Sequence, residues 1–152
     1  MKNLIAFILL LFILSPFRSQ AQCGESSREL LGSISAITMY NTYVAIGSFA
    51  DMHTNQVITS EQLVSYTDEQ VAMLAVLVDS YNKALKEDAK SYSDDDKQFM
   101  RNCVNILGLL RSEALALKKY AAAATDNNAD EYQLYRNKAW VQISDLLGLE
   151  DE

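Results

Sequence analysis

After Pro16 the chain continues to Glu152 without another proline. Nothing in that stretch removes a backbone donor or forces a kink, so helices can propagate through all of it. Glycine is scarce too: the five are Gly24, Gly32, Gly47, Gly108 and Gly148. Sheets need frequent turns, and turns draw on glycine and proline. The pattern predicts an all-α fold.

The N-terminus reads differently. Lys2 supplies a positive start, and Leu4 to Leu14 is an apolar run of eleven residues without a charge. Pro16 ends it, and Ser19-Gln20-Ala21 places small residues at its first and third positions. This is the anatomy of a secretory signal peptide cleaved before Gln22. The run is too short to span a bilayer, which takes roughly 20 residues as a helix. The expectation is an exported protein, periplasmic or extracellular, with residues 1–21 removed and 22–152 forming a single helical-bundle domain. No stable membrane insertion is expected after processing. Gln22 before Cys23 departs from the small-residue box that bacterial lipoproteins share.

The chain carries 13 Lys and Arg against 20 Asp and Glu, a formal net charge of −7. Loss of Lys2 and Arg18 with the leader makes it −9. Such a chain repels phosphate backbones and anionic lipid surfaces, which argues against nucleic acid and peripheral membrane as partners. Another protein, basic rather than acidic, fits better.

Four helices can be read. The first is predicted from Ser26 to Asn55, opened by a Ser26/Glu29 capping box. Leu30, Ile34, Ile37, Val44 and Met52 form its apolar stripe. Gly32, Ser33, Ser35, Ala36, Gly47 and Ser48 are small enough to let a neighbour approach. Thr59 with Gln62 opens the second helix. There Val64, Val71, Val78 and Leu85 repeat every seven residues, with Leu74 and Tyr81 three positions after Val71 and Val78. That is the a/d seam of helices crossing at a shallow angle. Thr67 and Gln70 make a second capping pair, which predicts a kink near Tyr66. Ser93 caps the third helix, and Asp94, Asp95 and Asp96 in its first turn complement the helix dipole. Its buried stripe is Phe99, Cys103, Ile106, Leu110, Leu117, Ala121 and Ala124. Asn128 with Glu131 opens the fourth helix, which ends near Gly148 and is shorter than the others. Its apolar face is Tyr132, Tyr135, Ala139, Ile143, Leu146 and Leu147. Short connections between helices make neighbours antiparallel. The reading is an elongated up-down-up-down four-helix bundle.

Chemistry-bearing patterns are sparse. Carboxylate bundles that hold iron pairs need Glu-x-x-His on two helices. This chain has one histidine, His53, with no glutamate three residues before it. A haem would want His53 with Met52, Met73 or Met100, but methionines at helical spacing are ordinary core filler. Asp94-Asp95-Asp96 lacks the central glycine and final glutamate of a calcium loop. No base stands beside a serine or cysteine in the pattern nucleophilic catalysis requires. The sequence therefore predicts no enzyme, no cofactor and no metal.

Two features point elsewhere. Export permits a disulfide, and Cys23 and Cys103 allow one pairing. Such a bridge would pin the N-terminal segment across the third helix. The aromatics Tyr40, Tyr43, Tyr132, Tyr135 and Trp140 are candidate contact residues, because tyrosine and tryptophan join an apolar ring to a polar tip. The leading reading is a non-enzymatic protein binder of inhibitor, immunity or adaptor type. The alternatives are a carrier or sensor of a small apolar ligand held between helices, and a chaperone. For the last, Thr67-Asp68-Glu69-Gln70 is similar to the Thr-x-x-Gln element of small helical periplasmic chaperones that answer envelope stress. The likeness covers those four residues.

Overall fold

The structure is a computed structural model that describes residues 19–87 and 90–149, with side chains from residue 28 onward. The expected signal peptide lies largely outside the described residues. Among the described residues four helices follow one another: α1 Ser19–Thr54, α2 Ser60–Glu87, α3 Asp94–Ala122 and α4 Asp126–Leu147. No strand occurs among the described residues. The chain divides into two compact units inside α1, one up to Ser35 and the other from Ala36 onward.

In the first unit the helix already runs through Ser26, so Ser26 is no cap. Ser33 and Ser35 donate back to the carbonyls of Glu29 and Leu31, as helical serines do when no cap is needed. Leu30, Leu31 and Ile34 are exposed.

The second unit is a helical bundle. α3 lies against both α2 and α4 and supplies most of the core, including Cys103, Ile106, Leu107, Leu110, Ala114 and Leu117. From α1 come Met39, Ile46 and Ala50, from α2 Leu63 and Leu74, and from α4 Ala139 and Ile143. The seven-residue seam expected of α2 turns by part of a step: Val64, Val71, Val78 and Tyr81 pack at its edge, while Leu63, Thr67 and Leu74 go inside. α2 runs without a break past Tyr66. Thr67 is buried, and its hydroxyl donates to the Val64 carbonyl at 2.9 Å within an unbroken helix.

Two caps form as read. Thr59 and Gln62 exchange bonds of 2.8 and 3.2 Å, and Ser93 exchanges bonds of 3.1 Å with Asp96. A third is displaced. Thr125, not Asn128, caps α4, because the Asn128 amide turns back to the Ala123 carbonyl at 2.8 Å and closes the end of α3. Gly148 ends α4 at φ 65°, a left-handed position that glycine takes without a Cβ penalty.

The stripe expected to bury α1 is overturned. Ile37 and Val44 are 56% and 42% exposed, while Ala36, Met39, Ile46 and Ala50 are buried. The helix turns Met39 and Ile46 inward with Ala36 and Ala50, and leaves Ile37 and Val44 outside.

Candidate functional site

Glu113 lies on the buried stripe of α3, at the helical spacing that joins Ile106, Leu110 and Leu117. Its side chain is wholly buried. Arg136 occupies the matching place on α4, between Tyr132 and Ala139. The two meet at 2.9 Å through Arg136 Nη1 and Glu113 Oε1.

α1 builds the rest of the cradle. Arg136 Nη1 donates to the Tyr43 carbonyl at 3.3 Å, and the guanidinium lies 4.1 Å from the Tyr43 ring centroid. A cation over an aromatic face is attracted by the ring quadrupole. The contact depends on Gly47, where a Cβ would stand 2.3 Å from Arg136 Nη2. A glycine is needed here for space, not for backbone freedom. Trp140 also packs on Tyr43, with ring centroids 5.5 Å apart. α2 contributes Tyr66, which stacks on Phe49 of α1.

The electrostatics are unbalanced. Burial pushes the Glu113 carboxyl up to about 7, although the hydrogen bond and charge of Arg136 pull the other way. Desolvation disfavours the ion more than one partner favours it. Arg136 is raised in turn: its own burial works against the charge, but Tyr132, Glu113 and Tyr43 outweigh it, and the side chain keeps 24% of its surface in water. Burial also raises Tyr132, Tyr66 and Tyr43, and the Glu113 charge adds to the rise in each. Glu113 Oε2 and the Tyr66 hydroxyl are buried without a hydrogen-bond partner. Such atoms carry a desolvation penalty that nothing in their surroundings offsets.

The expected contact aromatics scatter. Tyr40 is exposed, Tyr43, Tyr135 and Trp140 are half-buried, and Tyr132 is only 6% exposed. Tyr132 therefore belongs to the core beside Arg136 and offers no surface contact. No disulfide is seen among the described residues, and Cys103 is a free, buried thiol in the α3 core. Burial raises its thiol, against a hydrogen bond with Tyr81. Cys23 sits on the helix of the other unit, with its side chain outside the described residues.

His53 is not a solvated loop residue. It lies in the last turn of α1, with Nε2 3.0 Å from the Ser60 hydroxyl and its ring edge-on to Tyr120. Among the described residues no three His, Cys, Asp or Glu side chains gather as a metal ion would need. An open groove between α3 and α4 is lined by Asn105, Leu109, Leu134, Val141 and Gln142. Asn105 bridges its walls to Gln142 at 3.1 Å.

The sequence reading missed Glu113, Arg136 and the role of Gly47. The signal was present: a charged residue at the spacing of an otherwise apolar stripe, on each of two neighbouring helices. No known protein family, characterised protein or solved structure matches this chain.

Proposed function

We propose that this chain is an exported, non-enzymatic protein-binding module, working in the periplasm or outside the cell once residues 1–21 are removed. Short connections join its helices, which suits an up-down-up-down order. One observation carries the reading. α1 keeps Ile37, Tyr40 and Val44 exposed on the side opposite its buried Met39 and Ile46. From Leu30 to Ala50 the sequence has no charged residue at all, in a protein of net charge −7. An uncharged, aliphatic helix face on an acidic body marks an interaction surface rather than a solvated one. Electrostatic steering would then come from the acidic remainder and favour a basic partner.

A photo-crosslinking amino acid at position 44 tests this in the producing cell. A discrete crosslinked product should form there and not from position 80, where Ser80 is exposed on α2. Equal crosslinking at both positions, or none at position 44, would refute the assignment.

A further inference from the structure

Glu113 holds a buried oxygen with no hydrogen-bond partner, and the cheapest partner for such an oxygen is a proton. The groups facing it come from every helix of the bundle. α1 contributes Tyr43, with Asp51 acting on the same layer through Tyr132. α2 contributes Tyr66, and α4 contributes Tyr132 and Arg136. Arg136 is the cation among them, and part of its side chain already reaches water. It can leave by side-chain rotation, without unfolding a helix. The slot it would vacate is the one Gly47 leaves open, under the Tyr43 ring.

We propose that Glu113 and Arg136 form a proton-operated latch. When Glu113 Oε2 takes one proton from solvent, the charge that draws the guanidinium inward is gone. Arg136 then turns outward and releases the Tyr43–Gly47 segment of α1 from α4. When the proton leaves, the ion pair re-forms and the segment closes. No bond other than the O–H is made or broken. The carboxyl sits where cellular and extracellular pH cross it, since burial lifts it to about 7.

Trp140 is the one tryptophan, and it packs on Tyr43, so its fluorescence reads the latch directly. The full exported chain should show a fluorescence transition with its midpoint between about pH 6 and 8. The transition should persist in His53→Asn, which removes the single imidazole. It should vanish in Glu113→Gln. A transition lost in His53→Asn, retained in Glu113→Gln, or absent from the parent protein would overturn the latch. Should circular dichroism show Glu113→Gln unfolded, carbon NMR of the parent decides. A Glu113 carboxyl midpoint between 6 and 8, moving together with the Arg136 Nε–H resonance, supports the latch. A midpoint below 5.5, or a titration that leaves Arg136 unmoved, overturns it.

Discussion

Glu113 makes a quantitative demand on how stability varies with pH. Its carboxyl stands at about 7 in the folded protein against 4.5 in the unfolded chain. The group's folded-state pKa is raised, so the native state binds more protons than the unfolded state between those values. Stability must then fall as pH rises through that window. At 1.36 kcal/mol per pKa unit the interval is worth about 3 kcal/mol. Most of it, roughly 2 kcal/mol, should appear between pH 5 and pH 8, because the unfolded carboxyl is already mostly ionised at pH 5. The assay is urea unfolding of the protein at the two pH values, followed by circular dichroism. Glu113→Gln cannot titrate and should flatten the difference to within about 0.5 kcal/mol. A parent protein equally stable or more stable at pH 8 would refute the claim that desolvation outweighs Arg136 at this carboxyl.

Two further substitutions and one reactivity test probe other features. Gly47→Ala should gain about 1 kcal/mol of helix propensity. It should still lower net stability by roughly 1–3 kcal/mol, since the new methyl displaces the Arg136 guanidinium; in an Arg136→Met background thermal melts should show the sign reversed. Gln56 holds φ 59° in the turn after α1, so Gln56→Gly should raise stability by about 1 kcal/mol in chemical denaturation. Cys103, wholly buried, should resist thiol reagents in native protein and react as soon as denaturant unfolds the bundle.

How far the sequence can be read depends on the element. Ser93 with Asp96 and Thr59 with Gln62 were legible because a cap needs only residues three apart. The stripe of α3 was legible from Phe99 to Ala121 because it is the one apolar face that helix owns; Ala124, expected to extend it, lies past the helix end and is exposed. α1 owns two: Ala36, Met39, Ile46 and Ala50 recur at helical spacing, and so do Ile37 and Val44 on the other side. Periodicity says that a face exists and cannot say which of two is buried. Asn128 misled for a related reason. Its side chain can cap the helix it begins or close the one before, and the short turn at 123–125 places the Ala123 carbonyl within reach. The cysteine pair was legible only as a count, since composition carries no distance between two thiols.

That ambiguity in α1 gives the buried ion pair a structural purpose beyond its proton. A pair like Glu113–Arg136 stabilises little; well-packed apolar residues of similar volume commonly serve as well or better. It does discriminate. Arg136 fits against α1 only where Gly47 makes room and the Tyr43 carbonyl accepts. Rotating α1 to bury Ile37 and Val44 would move Gly47 away, bring Asn41 and Ser48 inward and leave the guanidinium without its slot. The pair thus selects one of two apolar faces, as a single polar residue selects register in a coiled coil. The double substitution Glu113→Leu with Arg136→Met should therefore keep stability within about 1 kcal/mol of the parent, or raise it. What it should lose is the choice of face. Cysteines introduced singly by Ile37→Cys and Met39→Cys, in a Cys23→Ser background, read the face by reaction with a soluble thiol reagent. In the otherwise parental bundle position 37 should react at least tenfold faster than position 39, matching exposures of 56% and 1%. In the double variant the two rates should converge to within about threefold. A gap that stays tenfold would mean that packing alone orients α1 and that the ion pair selects nothing.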